Sequence, residues 1–206
     1  MKAERPIIYL ITSGKLTQKN FSSEANRFIE LLAEAAADGV DVIQIREKGL
    51  SARNLSEIAT RLVEKIKNGP TRILLNDRAD IAAASGCDGV HLTTHSLSIA
   101  VARQVVGENA LISCSTHTLE EVEQAGKAGA DIILFGPVFA SPGKGQPVGL
   151  EMLAAAVQAA GGSTLLALGG IDELNFQDVL KAGAVGFAAI RSLNDAQMRR
   201  AILNVL

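Results

Sequence analysis

Eight short apolar runs, each followed by a longer stretch with helical spacing, constrain this chain more than any other feature. They are Ile7–Thr12, Val40–Arg46, Arg72–Asp77, Gly89–Thr93, Leu111–Ser115, Asp131–Gly136, Leu165–Gly170 and Gly186–Ile190. Each is continuous in apolar residues rather than alternating, the pattern of parallel strands covered on both faces. Helices are predicted between them. The plainest sets Leu55, Ile58, Ala59, Leu62, Val63 and Ile66 on one helical face behind Ser51 as N-cap. Thr118-Leu119-Glu120-Glu121 has capping-box spacing and opens another.

A weak internal repeat supports the strand count. Asp38-Gly39-Val40-Asp41, Ser85-Gly86-Cys87-Asp88, Ala128-Gly129-Ala130-Asp131 and Ala182-Gly183-Ala184-Val185 each close a helix and lead into a strand. Glycine is the usual left-handed stop there. The four sites precede every second strand, so a two-strand unit recurs. Eight strands with helices between them in 206 residues predict an α/β fold, a single (β/α)8 TIM barrel domain over residues 1–206. An open doubly wound sheet would need a switch point and usually fewer strands.

Composition narrows the partners. An aromatic content of 3% and a net charge of −2 count against nucleic-acid binding. Cys87 and Cys114 lie far apart and read as reduced core residues. No apolar run reaches membrane-spanning length, and the N-terminus has no signal-peptide pattern. The expectation is a cytoplasmic protein that takes small-molecule ligands, with no nucleic-acid or membrane partner and with homo-oligomerisation left open.

In such barrels chemistry sits at the C-terminal strand ends. Gln44 and Arg46 share one strand face and Lys48 follows them. Either an anion meets these groups, or they reach solvent past the strand end, satisfied by Glu47. Further ends carry Asn76-Asp77-Arg78, Thr93-Thr94-His95-Ser96, and Ser115 with His117. A glycine-rich loop holds Lys144. The turn Gly169-Gly170-Ile171-Asp172, with a helix expected to open at Asp172, and Ile190-Arg191 fit a phosphate site. Arg46, Lys48 and Lys144 together imply a larger anion such as pyrophosphate. Asp77 then reads as a Mg2+ ligand, against a helix N-cap or an ion pair with Arg78. His91, within its strand, reads as a hydrogen-bonded structural residue.

Gln44-Ile-Arg-Glu-Lys48, Leu75-Asn-Asp-Arg78, Asp88-Gly-Val-His-Leu92, Ser115-Thr-His-Thr118, Phe135-Gly-Pro-Val-Phe139 with Lys144, and Ala167-Leu-Gly-Gly-Ile171 together resemble the thiamine phosphate synthase superfamily, which also includes the thiazole tautomerases. The resemblance implies a barrel that joins 4-amino-5-hydroxymethyl-2-methylpyrimidine pyrophosphate to thiazole phosphate with Mg2+. It assigns pyrophosphate binding to Gln44, Arg46, Lys48, Asn76 and Lys144, and a metal ligand to Asp77. It places Ser115 and Lys144 at the reacting centre and the thiazole phosphate at Gly170 with the Ile190-Arg191 backbone.

Three positions depart from the family pattern. Ser96 stands where the family has an Asp as second Mg2+ ligand. The loop before Lys144 reads Ser141-Pro142-Gly143 where threonines are usual, and Arg191 replaces a common serine. The tautomerase branch also tends to lack the second Asp, yet the histidine that is catalytic in some tautomerases falls at Pro137. Synthase activity is therefore expected. The alternatives are a tautomerase and a barrel that binds thiazole phosphate without turning it over.

Overall fold

The computed structural model describes residues 5–206. Its strands are β1 (Ile7–Ile11), β2 (Val42–Ile45), β3 (Arg72–Asn76), β4 (Gly89–Leu92), β5 (Leu111–Thr116), β6 (Ile132–Phe135), β7 (Thr164–Leu168) and β8 (Gly186–Ala189). All pair in parallel and in sequence order, and β1 pairs with β8 to close the barrel. Helices α1 (Phe21–Asp38), α2 (Ala52–Ile66), α3 (Ala79–Ala84) and α4 (Ile99–Val106) follow the first four strands. After the later strands come α5 (Leu119–Lys127), α6 (Gly149–Ala159), α7 (Phe176–Lys181), the short α8 (Arg191–Asn194) and α9 (Ala196–Leu203). The fold is the (β/α)8 barrel expected from the alternation. Every strand run is found, most trimmed by a residue or two at an end.

Continuous apolar strands are explained by two separate layers of burial. Ile8, Ile43, Ile73 and Val90 pack outward against the helices. Tyr9, Val42, Leu74, Leu134 and Leu166 alternate with them and fill the barrel interior. Ser51 caps α2 by accepting from Asn54 N at 3.3 Å. Thr118 likewise accepts from Glu121 N, while the Glu121 carboxylate reaches back to His117 N at 2.6 Å rather than to Thr118.

The two-strand repeat has a structural meaning that spacing alone did not reveal. Its glycines, Gly39, Gly86, Gly129 and Gly183, all have left-handed φ between 71° and 105°. The aspartates two residues after the first three of them are clasps on the N-terminal end of the barrel. Asp41 Oδ2 accepts from Ile8 N at 2.7 Å, Asp88 Oδ2 from Ile73 N at 2.8 Å, and Asp131 Oδ2 from Ile112 N at 2.7 Å. In return the aspartate N–H donates to the carbonyl of that same strand residue. At the fourth repeat Val185 N donates to Leu165 O in the same way, but valine has no carboxylate to complete the ring.

One expectation at the other end is corrected. The helix after Gly169-Gly170 begins at Phe176, not Asp172. Asp172 and Asn175 build a turn first: Asp172 Oδ1 accepts from Leu174 N, Asn175 Oδ1 accepts from Asp172 N, and Asn175 Nδ2 donates to Gly170 O at 2.9 Å. Asx side chains that bond neighbouring backbone compete with helix initiation.

Candidate active site

The C-terminal strand ends enclose a cavity of about 570 Å³. Gln44, Arg46 and Lys48 enter it from the end of β2, with Asn76 beside them from β3. His91 and Ser115 form its floor, and Lys144 reaches it from the β6–α6 loop. Gly169, Gly170, Ile190 and Arg191 close the opposite side. A second cleft of about 660 Å³ runs outside the barrel between α1 and α8–α9, and shares only Ile190 and Arg191 with the first. The strand ends converge on the first.

The choice left open for Glu47 is settled by its contacts. It is buried and accepts from Gly14 N at 3.0 Å and Leu16 N at 2.7 Å, so it orders the β1–α1 loop and neutralises neither neighbour. Thr12 Oγ1 accepts from Arg46 N at 2.8 Å and fixes the backbone beneath the guanidinium. Among the described residues, no carboxylate pairs with Arg46, Lys48, Lys144 or Arg191. Converging cations without counter-charge repel one another and hold an anion when one is present.

Gln44 is 1% exposed and donates from Nε2 to Asn76 Oδ1 at 3.2 Å. Its Oε1 is the single buried side-chain atom without a partner among the described residues. A buried acceptor left open costs about 1–3 kcal/mol, so it is suited to a donor on a ligand.

Asp77 stands apart from the cavity lining. It is exposed, with φ 67°, the sole non-glycine left-handed residue among those described. Its N–H donates to His91 O at 2.8 Å. Neither alternative role is realised: Arg78 pairs with Asp80 through two bonds of 2.9 and 2.6 Å, and Asp77 does not cap α3. Strained backbone of this kind collects at functional positions. Ser96 is occupied elsewhere, accepting from Thr93 N at 2.7 Å within its own turn.

His91 lies between two hydroxyls, with Nδ1 2.9 Å from Ser113 Oγ and Nε2 3.0 Å from Ser115 Oγ. Burial, reinforced by the charge of Arg46, pushes its pKa down to about 3, so the ring is neutral at physiological pH. It is hydrogen-bonded as the sequence suggested, but it is also part of the cavity floor, which the sequence reading did not include. His117 Nδ1 donates to Gly136 O at 2.6 Å and ties the β5 end to the β6 end. Gly170 is required by packing: a Cβ there would lie 2.6 Å from Ala140 O and 2.7 Å from Phe139 Cβ, and its φ is +65°.

A parallel barrel with a cationic cavity at its C-terminal rim defines the class: a (β/α)8 barrel whose unpaired basic groups converge on one cavity at the strand ends. Comparison with known proteins gives the family. The model of the thiamine monophosphate synthase family matches residues 8–193, and the chain belongs to that family. The thiamine-phosphate synthase of Haloarcula marismortui is 35% identical over 195 residues, covering 92% of this chain and 89% of its own. That of Acidothermus cellulolyticus is 38% identical over 161 residues, covering 77% and 76%. A thiamine phosphate pyrophosphorylase structure from Pyrococcus furiosus superposes with TM-score 0.81 at 30% identity over 97% of this chain and 93% of that one.

Proposed function

We propose that this chain is a thiamine-phosphate synthase, a transferase that joins the pyrimidine pyrophosphate to thiazole phosphate and releases pyrophosphate. The observation that carries the reading is the meeting of Arg46, Lys48 and Lys144 at one cavity with no carboxylate opposite them. In the reaction the bond between the pyrimidine methylene carbon and the leaving oxygen breaks, and its electron pair departs with pyrophosphate. The thiazole nitrogen lone pair forms the new C–N bond, so no general base is required. The demand is for charge at the leaving group, which preorganised cations supply. Gln44 and Asn76 join these cations in holding the pyrophosphate, Gly169, Gly170 and the Ile190-Arg191 backbone hold the thiazole phosphate, and Ser115 lies near the reacting carbon.

For Mg2+ the chain offers a single carboxylate, Asp77, at the rim next to the cavity residue Asn76. Asp77 has no hydrogen-bond partner on its carboxylate among the described residues, and Mg2+ is commonly held by one or two carboxylates plus phosphate oxygens. Bound there with pyrophosphate, the metal would neutralise leaving-group charge. Since Ser96 is engaged in its turn, Asp77 is the one protein carboxylate assigned to the metal. The two free thiols, Cys87 and Cys114, are both pushed up to about 12 chiefly by burial, which keeps them in the unreactive thiol form.

The loss of the second carboxylate at Ser96 is the observation that favours thiazole tautomerase as second reading. One assay separates the two. Purified protein with both substrates should release pyrophosphate in step with thiamine phosphate and stop when Mg2+ is chelated. Turnover of a thiazole tautomer that is indifferent to chelator, without pyrophosphate release, would replace the synthase by the tautomerase.

A further inference from the structure

Beneath Ser115 a line of hydrogen-bonding groups runs down into the closed interior of the barrel. Tyr9 on β1 is fully buried and its phenol donates to Ser113 Oγ over a long 3.4 Å contact. Ser113, also fully buried, lies 2.9 Å from His91 Nδ1, and His91 Nε2 lies 3.0 Å from Ser115 Oγ at the cavity floor. Burial raises the Tyr9 phenol well above its ordinary range, so it carries its hydrogen.

The hydrogens in this line can run in two directions, and the buried end decides between them. In one direction Tyr9 donates to Ser113, Ser113 donates to His91 Nδ1, and the ring donates from Nε2 to Ser115. Every hydrogen then has an acceptor. In the other direction Ser115 donates to Nε2, Nδ1 donates to Ser113, and Ser113 donates to the Tyr9 oxygen. One hydrogen of the Tyr9–Ser113 pair is then stranded whichever of the two donates to the other, because among the described residues neither hydroxyl has a further acceptor. A doubly protonated ring strands it in the same way. A buried donor without an acceptor gives up its hydrogen bonds to water and gains nothing in return. The first direction prevails.

We propose that Ser113 is a positioning residue that holds His91 as its Nε2–H tautomer, with Tyr9 donating to Ser113 at the buried end of the line, so that Ser115 keeps its own hydrogen to donate to an acceptor atom of the ligand in the rim cavity. The consequence is a distinction between two superficially similar arrangements. A serine 3.0 Å from a histidine resembles an activated nucleophile, which requires an unprotonated ring nitrogen facing the hydroxyl. Here that nitrogen carries the hydrogen. Ser115 is a hydrogen-bond donor and takes no part as nucleophile. The ligand role rests on the synthase reading; the tautomer does not.

The test uses the full chain with 15N-labelled histidine, of which there are three. At neutral pH the His91 ring should show a protonated Nε2 and an unprotonated Nδ1. Ser113→Ala should release the ring to a mixture of tautomers. It should lower kcat about tenfold, the equivalent of one hydrogen bond of about 1.4 kcal/mol, with KM little changed. Tyr9→Phe should keep the Nε2–H form, because the Ser113 hydrogen still has no acceptor but Nδ1, and should lower kcat less. A fluorophosphonate reagent should leave Ser115 unmodified. A protonated Nδ1 in the parent, a ring unaffected by Ser113→Ala, or a covalent adduct at Ser115 would each overturn the proposal. The parent spectrum decides the tautomer even if Ser113→Ala fails to fold. It does so whether or not the protein turns over the two substrates, so loss of the synthase reading would be seen separately.

Discussion

The two ends of this barrel treat charge in opposite ways. At the N-terminal end, Asp41, Asp88 and Asp131 accept strand N–H groups, and Arg72 and Arg103 cover the last two at 2.9 and 2.8 Å. Nearby, Asp38 at the end of α1 holds Arg199 and Arg200 of α9. At the C-terminal end Arg46, Lys48, Lys144 and Arg191 have no acidic partner among the described residues, Asp77 is free, and Gln44 Oε1 is open. The same residue types are paired within the fold at one end and left without a protein partner at the other, as the proposed ligand site requires. Substitutions at one end should therefore move stability, and at the other activity.

The largest effect is expected from Asp38→Ala. Arg199 is 2% exposed, and removing its carboxylate leaves a buried charge uncompensated, at a cost of about 3–5 kcal/mol. Urea unfolding should show that loss, while turnover per folded molecule stays at the parent value; a matching fall in turnover would break the division between the ends. The same pair sets an acid limb. Burial works against ionisation of Asp38, but Arg199 and Arg200 prevail and hold its carboxyl below the ordinary range. Its contribution is thus complete above the unfolded value near 3.8 and is lost as pH falls through the lower folded value. In Asp38→Asn, stability should decline less steeply with acid in that window.

Next in size is Arg46→Ala at the other end. Loss of one charge-stabilising donor typically costs about 10²–10³-fold in turnover, and kcat/KM should fall by that order with the melting temperature unchanged. A variant that melts well below the parent would show Arg46 to be structural. Asp131→Ala should be milder, removing about 1–3 kcal/mol of stability with its acceptor to Ile112 N and leaving activity intact. The smallest effect has the opposite sign. Val185 is half-exposed and stands where the other repeats carry the clasp aspartate, so Val185→Asp should complete the ring to Leu165 N and stabilise by about 1 kcal/mol. Thermal unfolding that shows no gain would mean that the fourth unit differs in more than its side chain.

Much of this was legible in the sequence because the signals were local. Continuous apolar runs announce strands buried on both faces, and glycines at helix ends announce the repeat. Strand ends could be read for polar groups without knowing the register. What escaped depends on contacts across strands. The pairing of Asp41 with Ile8 spans 33 residues and that of Tyr9 with Ser113 spans 104, so no spacing rule connects them. Adjacency in sequence makes Glu47 a partner for Arg46 and Lys48, but the alternation of the extended chain turns it away from them to the β1–α1 loop. Asp172 failed as a helix start because Asn175, three residues on, captures the backbone first.

On the proposed function, the rim cations lack protein partners because a bound pyrophosphate pairs them. The direct measurement is calorimetric titration of pyrophosphate with Mg2+, alongside thermal unfolding without ligand, for the parent and the triple variant Arg46→Ala/Lys48→Ala/Lys144→Ala. The account predicts that the variant loses pyrophosphate binding yet unfolds at the parent temperature or slightly above it, since like charges have been removed. A variant that binds pyrophosphate as the parent does, or that unfolds several degrees lower, would contradict it.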